Sequence, residues 1–212
     1  MLKKEVQSSR KLKAANTKKK IYETARQLIL EQGYENVSVD SIVEAAGVAK
    51  GSFYVHFESK DALVVDVIEE ITKMADLNYK SFLTTVPDGS STLDMLLLLA
   101  GKISDFIEFN ISLDNMKVLY KTHLTKAVDT TSATSYNREL YTLFSRVLEM
   151  GVEQGELRED MPVASLSKHL ILAIRGITFE WCIRHPDFDL KEQVLEHFRI
   201  LLYGLRNPSV SE

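Results

Sequence analysis

Cysteine and long apolar runs are scarce in this sequence. Cys182 is the single cysteine, which excludes an intramolecular disulfide and agrees with a reducing cytoplasm. The longest uninterrupted apolar stretch, residues 95–100, is far shorter than the roughly 20 residues that a membrane-spanning helix needs. No apolar segment follows the charged N-terminus, so a signal peptide is not expected. We therefore expect a cytoplasmic protein without a membrane partner.

Motifs of the common enzyme classes are missing as well. The sequence has no P-loop, no G-x-G-x-x-G and no G-x-S-x-G. The histidines are His56, His123, His169, His185 and His197. Their separations do not match the close spacing of metal ligands. We therefore expect no catalytic residues, no metal site and no other cofactor.

The charge is distributed unevenly along the chain, although the formal net charge is only −4. Residues 1–60 hold eleven Lys and Arg against seven Asp and Glu, and the remaining residues hold fifteen against twenty-three. Within the basic part, residues 1–16 are predicted to form a basic, flexible N-terminal arm. Such an arm suits a polyanion such as DNA, but a solvated tail would have the same composition.

Helical periodicity extends over most of the chain, and no segment has a convincing strand pattern. The predicted fold is all-α with about nine helices. They are predicted at residues 17–32, 39–46, 49–55, from 59 onward, 91–110, 113–126, 135–154, 162–184 and 189–205. We expect a boundary between two domains, residues 17–77 and residues 78–212, because charge balance and helix length both change near residues 75–80.

The segment from Ser38 to Lys60 has the pattern of a helix-turn-helix, with the motif at about residues 39–57. Ser38 can cap an amphipathic segment that Gly47 ends, and a second short segment follows. In that second segment Phe53 and Phe57 are predicted to face inward, whereas Lys50 and Tyr54 face the opposite way. One face would anchor the helix and the other would be free for a partner.

At these residues the chain resembles the TetR family of bacterial transcriptional regulators. The family pattern is Gly-[Ser/Thr]-aromatic-Tyr-x-His-Phe-x-[Ser/Asn]-Lys, and residues 51–60 match it throughout. The resemblance covers about residues 17–73, and it implies a DNA-binding domain over residues 17–77 and a C-terminal ligand-binding and dimerisation domain over residues 78–212. It implies an all-helical homodimer whose third helix enters the major groove, with Thr17 and Ser38 contacting phosphate through helix N-termini.

The residues predicted to contact double-stranded DNA combine this resemblance with the chemistry of the side chains. They are Thr17, Ser38, Ala49, Lys50, Gly51, Ser52, Tyr54, His56 and Lys60. Lys50 and Ser52 have groups that can bond base edges, and Gly51 lets the helix approach closely. Tyr54, His56 and Lys60 are expected to hold the DNA backbone. Tyr54 and His56 have an alternative role, which is to cover the end of the first helix.

The C-terminal domain of such proteins usually holds a small-molecule effector. The predicted ligand-binding residues are Leu99, Phe106, Phe109, Tyr120, His123, Tyr136, Phe144 and Arg175. They offer apolar and aromatic surface with occasional polar groups, as ligand cavities do, although any helix-bundle core looks similar. His123 and Arg175 have the chemistry to orient an anionic or hydroxylated ligand. The sequence does not identify the effector.

The resemblance also implies that the last two long helices pair with their copies in a four-helix dimer interface. The predicted dimerisation residues are Leu170, Ile174, Trp181, Phe198, Leu201 and Leu205. The same apolar stripes would also serve an intramolecular core.

The sequence therefore favours a ligand-responsive transcriptional regulator, most often a repressor in this family, that binds a pseudo-palindromic operator as a homodimer. An alternative is a co-activator or interaction protein on the same scaffold that acts through a protein partner. An enzyme on a helical scaffold is a further alternative, which the missing catalytic motifs disfavour. The operator sequence and the sign of regulation stay open.

Overall fold

Helices make up nearly all of the ordered secondary structure in the computed structural model. It describes residues 2–87 and 89–207, and it describes side chains from Lys11 onward. The α-helices are α1 (Leu2–Gln32), α2 (Val39–Ala45), α3 (Lys50–His56), α4 (Lys60–Leu83), α5 (Thr92–Phe106), α6 (Leu113–Thr125), α7 (Thr131–Thr134), α8 (Glu139–Glu153), α9 (Val163–Arg184) and α10 (Leu190–Tyr203). A 3₁₀ turn at Tyr34–Asn36 and a π-helical turn at Ile107–Ile111 complete the set.

The predicted all-α fold is confirmed. Nine of the described helices have seven residues or more, and α7 is a single turn. The only bridge of β type among the described residues is the isolated pair Leu157 and Arg206. No helix in the described part of the chain is both long enough and apolar enough to span a membrane.

The described residues divide into two compact units. The first unit contains the residues up to Ile71 together with Lys117–Thr130, and the second contains Thr72–Met116 together with the residues from Thr131 onward. These units do not correspond to a single cut in the chain, since helices distant in sequence pack together. The predicted domain boundary between residues 77 and 78 stays a prediction. The functional roles assigned to the two domains stay predictions.

In the first unit, α1, α2 and α3 pack on one another around a small apolar core. Ile21 and Ala25 of α1, Ile42 of α2 and Phe53 of α3 are each fully buried. The i, i+4 spacing of Ile21 and Ala25 is the spacing that the sequence predicted for this helix. Two short helices that cannot be stable alone are therefore held by burial against α1.

The first helix begins at Leu2 and not at Thr17, so the predicted start was wrong. The added segment has no apolar stripe to reveal it, but it also lacks glycine and proline, and its Lys, Leu and Ala residues favour helix. The side chains of residues 1–10 lie outside the described part. The predicted flexibility of the arm and its contact with DNA stay predictions.

The turns of the first unit follow the predicted capping residues. The Ser38 hydroxyl accepts a hydrogen bond from the Ser41 N–H at 3.0 Å, and the Ser41 hydroxyl accepts one from the Ser38 N–H, which makes a capping box. Gly33 ends α1 at φ 83° and Gly47 ends α2 at φ 58°, conformations that disfavour side chains with a Cβ. Ser59 caps α4 through the Ala62 N–H at 3.1 Å.

The second unit is a helical bundle in which α5 packs on α8 and α10, and α9 packs on α8 and α10. Its core includes Leu96, Leu99, Phe144, Leu148 and Phe198, all fully buried. The rings of Phe144 and Phe198 meet with their centroids 6.4 Å apart, which joins α8 to α10. The apolar stripes predicted for these helices therefore form an intramolecular core.

Candidate nucleic-acid interface

The two faces of α3 differ as predicted. Phe53 is fully buried and Phe57 is 4% exposed, and their ring centroids lie 5.6 Å apart. Lys18 of α1 covers the Phe57 ring, with its Nζ 5.4 Å from the centroid. The predicted inward pair is confirmed, and it fixes α3 on α1.

The outer face of α3 presents polar groups. Lys50, Gly51 and Tyr54 are exposed, and Tyr54 has 52% of its surface accessible. Ser52 and His56 are partly buried beside them, and Ala49 is the exposed N-cap residue. The rings of Tyr54 and Phe53 meet edge to face with their centroids 5.4 Å apart, and this contact helps to orient the Tyr54 side chain. The predicted contact of this face with DNA is consistent with its exposure and stays a prediction.

No contact within the chain explains why residue 51 is a glycine. A Cβ added there would meet no atom within 4 Å, and the residue is exposed. Glycine inside a helix costs about 0.5–1 kcal/mol relative to alanine. The fold of the chain therefore does not require glycine at this position.

Lys50 is held by a residue that sequence reasoning did not identify. Its Nζ lies 2.7 Å from Oδ1 and 3.0 Å from Oδ2 of Asp40, in the first turn of α2. The hydrogen bond and the charge of Asp40 raise the pKa of Lys50. The ammonium therefore stays charged, and a carboxylate accompanies it on the outer face. The ten-residue separation has no helical periodicity, so no pattern in the sequence indicates this pair.

Lys60 makes several contacts within the chain. Its Nζ donates to the carbonyl oxygens of Tyr34 at 2.9 Å and Val37 at 2.8 Å, and it lies 4.0 Å from the Tyr34 ring centroid. The Tyr34 hydroxyl in turn donates to Asp61, and burial together with this hydrogen bond raises the pKa of Tyr34 to about 12. Lys60 thus joins the start of α4 to the turn between α1 and α2. Its predicted contact with DNA stays a prediction.

The two residues expected at helix N-termini differ from each other. Ser38 is the exposed N-cap of α2, as predicted. Thr17 lies inside α1, and its hydroxyl donates to the Lys13 carbonyl at 2.9 Å. A helix N-terminus at Thr17 is therefore wrong, because the helix continues back to Leu2. Contact between either residue and DNA stays a prediction.

The residues predicted to bind ligand fall into different environments. Leu99, Phe106 and Phe144 are buried in the second unit, whereas Phe109 there is 78% exposed. Tyr120 and His123 lie in the Lys117–Thr130 segment of the first unit. Tyr136 and Arg175, far apart in sequence, both contact Tyr141 in the second unit. Tyr136 and Arg175 therefore share Tyr141 as a common neighbour.

Tyr141 is the centre of a group of aromatic and cationic side chains in the second unit. Its ring meets Tyr136 edge to face at 5.3 Å, and the Arg175 guanidinium lies 5.9 Å from its centroid. Lys168 Nζ lies 4.5 Å from the centroid of Tyr136. The Tyr141 hydroxyl is buried and has no hydrogen-bond partner among the described residues, and burial raises the pKa of Tyr141. We call Tyr136, Tyr141, Lys168 and Arg175 the tyrosine–cation cluster.

A separate small cavity of about 150 Å³ lies in the first unit. The end of α1, the 3₁₀ turn and one side of α6 enclose it, with Gly33, Asn36 and Thr125 among its lining residues. Lys121 of α6 pairs there with Glu35 at 2.5 Å. None of the residues predicted to bind ligand lines this cavity.

The residues predicted for dimerisation are largely used within the chain. Leu170, Ile174, Trp181 and Phe198 are at most 4% exposed, and Leu201 and Leu205 are partly buried. Sequence reasoning missed a second apolar set on α9 and α10 that faces solvent. It consists of Leu172 (41% exposed), Phe179 (38%), Ile183 (61%), Ile200 (67%) and Tyr203 (76%). We call these five residues the exposed apolar face.

The described residues contain no group of three or more His, Cys, Asp or Glu side chains that could hold a metal ion. The single cysteine, Cys182, is buried.

Comparison with known proteins gives matches over both units. Residues 21–67 match the family model described as bacterial regulatory proteins, tetR family. The chain is 24% identical over 188 residues to the transcriptional repressor KstR2 of Rhodococcus jostii (strain RHA1), covering 89% of this chain and 90% of that protein. It is 25% identical over 215 residues to the transcriptional regulator AcrR of Shigella flexneri, covering 95% and 98%.

A solved structure has the same fold over nearly the whole chain. It is the transcriptional regulator FadR from Bacillus subtilis in complex with stearoyl-CoA, with a TM-score of 0.69 and 17% identity. The match covers 88% of this chain and 98% of that one.

Proposed function

We propose that this chain, which belongs to the TetR family of bacterial regulatory proteins, is a non-catalytic cytoplasmic repressor that binds a pseudo-palindromic DNA operator as a homodimer. An effector molecule bound to the second unit would lower its affinity for that operator. The resemblance that the Ser38–Lys60 segment indicated is thereby confirmed at the level of the family. Repression is proposed because the similar protein of Rhodococcus jostii is a repressor.

The observation that carries the DNA-binding proposal is the outer face of α3. Phe53 and Phe57 are buried against the rest of the first unit, whereas Lys50, Gly51 and Tyr54 are exposed on the opposite face. A recognition helix needs this division between an anchoring face and a face free for DNA. Gly51 adds support, because the fold does not require it. In a dimer the two copies of α3 should lie about one turn of DNA apart, on the order of 34 to 36 Å.

The test uses an operator selected from a random DNA pool by the full-length protein. Lys50→Ala should cost about 1 to 3 kcal/mol in binding that operator, measured by fluorescence anisotropy, because a lysine that reads a base contributes discrimination of that size. Gly51→Ala should weaken binding while the free energy of unfolding stays equal or rises, since the added methyl group meets nothing within the chain.

Lys117→Ala is the matched control, because Lys117 is an exposed lysine of α6 and its removal changes the net charge equally. It should leave operator affinity nearly unchanged. The DNA-binding proposal fails if no sequence is enriched from the pool, or if both α3 variants bind as wild type does.

The tyrosine–cation cluster is the proposed place of the effector. Support comes from the buried Tyr141 hydroxyl, which has no partner among the described residues and would gain one from a ligand. Arg175 and Lys168 already cover the faces of the two rings, so the cluster suits an anionic or hydroxylated group better than a quaternary ammonium.

The effector proposal is tested by native mass spectrometry of the purified dimer, followed by thermal unfolding with any bound compound added back. Tyr141→Phe should reduce the thermal shift, because it removes only the hydroxyl, whereas Tyr54→Phe, at an exposed tyrosine of α3 in the first unit, should not. A compound that shifts both variants equally would place the effector elsewhere.

The exposed apolar face is the proposed core of the dimer interface. On α9 the exposed residues Leu172, Phe179 and Ile183 are spaced at i, i+7 and i+11, so they form one apolar stripe. Such a stripe is typical of a helix that packs on a partner. Gly176 lies on the same stripe with nothing within 4 Å of an added Cβ, so a second helix can approach closely there.

A further inference from the structure

Asp40 and Lys50 join the N-terminal ends of the two helices of the motif. The Lys50 ammonium lies 2.7 Å from one carboxylate oxygen of Asp40 and 3.0 Å from the other. Asp40 is in the first turn of α2 and Lys50 is the first residue of α3. The pair therefore belongs to the surface that the proposed function turns toward DNA.

Folding does not explain this pair. The two side chains are 53% and 71% exposed, and exposed ion pairs contribute little to the stability of a fold. A lysine at the first position of a helix also faces the positive end of the helix dipole, which is unfavourable. The two helices are held instead by the buried residues Ile42, Val43 and Phe53. The Asp40–Lys50 pair should therefore affect the affinity of this surface for its partner more than the stability of the fold.

A lysine paired with a carboxylate interacts differently with phosphate and with bases. An unpaired lysine attracts any phosphate, and each phosphate that it neutralises releases counterions. The Asp40–Lys50 pair has no net charge, and its carboxylate repels phosphate. Random DNA, which is bound through phosphates, therefore gains little from it.

A base pair in the major groove offers more to the same pair. Guanine presents two acceptors, O6 and N7, which suit a lysine, and cytosine presents the N4 amino donor, which suits a carboxylate. A donor and an acceptor held within 3 Å of each other are thus complementary to one G·C pair. The Asp40 carboxylate would therefore favour binding over a G·C pair and disfavour binding to DNA phosphates alone.

We propose that Asp40 is a specificity-determining residue that acts together with Lys50. It cancels the attraction of Lys50 for the phosphates of random DNA and restricts its productive binding to a site with a G·C pair beneath α3. This inference rests on the proposed function, namely operator binding through the outer face of α3.

The experiment compares full-length wild type with Asp40→Asn and Asp40→Ala. Each protein selects sequences from a random pool, and fluorescence anisotropy then measures its affinity for the wild-type operator and for a random duplex across a range of salt. Asp40→Asn should bind the random duplex about tenfold more tightly, with a salt slope steeper by about 0.9, the value for one more neutralised phosphate. The operator preference should fall about tenfold.

Base preferences give the second readout. Both variants should lose the preference for G·C at one position in each half-site. The asparagine that replaces Asp40 could itself bond adenine, which would alter the base preference. Alanine makes no such bond, so the same loss in Asp40→Ala must come from removal of the carboxylate. In a Lys50→Ala background, Asp40→Asn should change the salt slope far less than it does alone, because the carboxylate then has no lysine to neutralise.

Glu44→Gln is the matched control, since Glu44 is an exposed carboxylate of the same helix. It should leave the operator preference and the selected bases unchanged. If wild type enriches no sequence, the proposed function itself fails. If wild type enriches an operator but Asp40→Asn keeps both the preference and the bases, or Glu44→Gln alters them equally, the role of Asp40 is overturned.

Discussion

Lys60 connects the start of α4 to the turn between α1 and α2 through one ammonium group. It donates to two carbonyl oxygens of the turn after α1 and lies against the Tyr34 ring, while Tyr34 donates to Asp61 in the first turn of α4. Hydrogen bonds from a charged donor are stronger than neutral ones. The conformation of this turn therefore depends on Lys60, whatever else that residue contacts.

Replacing Lys60 by methionine should lower the free energy of unfolding by about 1 to 3 kcal/mol, because two carbonyl groups lose a charged donor. Urea denaturation followed by circular dichroism measures the change. Lys19→Met, at an exposed lysine paired with Glu23 on α1, should change the same quantity by less than about 0.5 kcal/mol. Equal effects of the two substitutions would contradict the structural role of Lys60.

Glu108 is a carboxylate in an unfavourable position. Burial in the π-helical turn raises its pKa, and the nearby carboxylates of Asp189 and Asp105 raise it further, while Lys191 and His185 oppose them. A raised pKa means that folding favours the protonated form. The stabilising contribution of protonated Glu108 is present below pH 4.5 and is lost as the pH rises through the raised value.

Glu108→Gln should therefore stabilise the protein at neutral pH, because glutamine cannot ionise. The gain should be on the order of a few tenths of a kcal/mol, since the residue is partly exposed. Urea denaturation from pH 4 to 8 should show the difference from wild type shrinking toward zero below pH 4.5. Glu149→Gln, at an exposed carboxylate of α8, should show no such trend, and a gain independent of pH at Glu108 would refute the assignment.

At the scale of elements, Gly151 of α8 lies where three parts of the second unit meet. A Cβ built there would lie 2.6 Å from Cγ2 of Thr92 and 2.7 Å from Cδ1 of Leu157. Real Cβ atoms do not approach carbon atoms so closely. Glycine at this position therefore permits the close packing of α8 on the start of α5 and on the segment after α8.

Gly151→Ala should lower the free energy of unfolding by about 1 to 3 kcal/mol, as overpacking of a core does. Gly101→Ala on α5 is the matched substitution, since an added Cβ there meets its nearest atoms at 3.5 and 3.6 Å, an ordinary contact distance. It should raise the same quantity by about 0.5 to 1 kcal/mol, because alanine favours helix. Thermal and urea unfolding measure both, and a stabilised Gly151→Ala protein would contradict the packing argument.

Sequence patterns predicted the elements that depend on local signals. Ser38, Gly33 and Gly47 mark helix ends through their own capping chemistry, and the apolar period of α9 and α10 predicted both helices within a few residues. The start of α1 was missed, because a charged helix has no apolar period to reveal it. The single turn α7 and the π-helical turn also lack a distinctive pattern.

Interactions between distant residues were not predictable in the same way. Arg138, just before α8, makes bonds of 2.5 and 3.3 Å to Asp76 of α4, and Lys60 bonds a turn 23 residues away. Both depend on how helices pack, which periodicity does not specify. The candidate DNA-binding residues on α3 were identified from their pattern, whereas their partner Asp40 became apparent only from distances.

At the scale of the whole molecule, the apolar surface of α9 and α10 has two parts. Leu170, Ile174 and Phe198 serve the core of the chain itself, since none is more than 4% exposed. The exposed apolar face lies on other sides of the same helices. A helix buried on one side by its own chain and apolar on a second side is typical of a surface that packs on another protein. A second copy of the chain is the partner that the proposed function requires.

Ile183→Asp together with Ile200→Asp should therefore convert the dimer to a monomer, because two charges would have to be buried in the interface of each protomer. Sedimentation equilibrium measures the mass. Unfolding should stay cooperative, since both side chains are more than 60% exposed in the single chain. Leu98→Asp, on a leucine of α5 that is 45% exposed, is the matched control and should remain a dimer.

The same double variant should bind a full pseudo-palindromic operator only about as tightly as it binds a single half-site, because two linked recognition helices gain affinity from their effective concentration. Anisotropy with full and half-site duplexes tests this point. A double variant that stays dimeric, or a wild-type protein that is monomeric at micromolar concentration, would show that the exposed apolar face serves another partner.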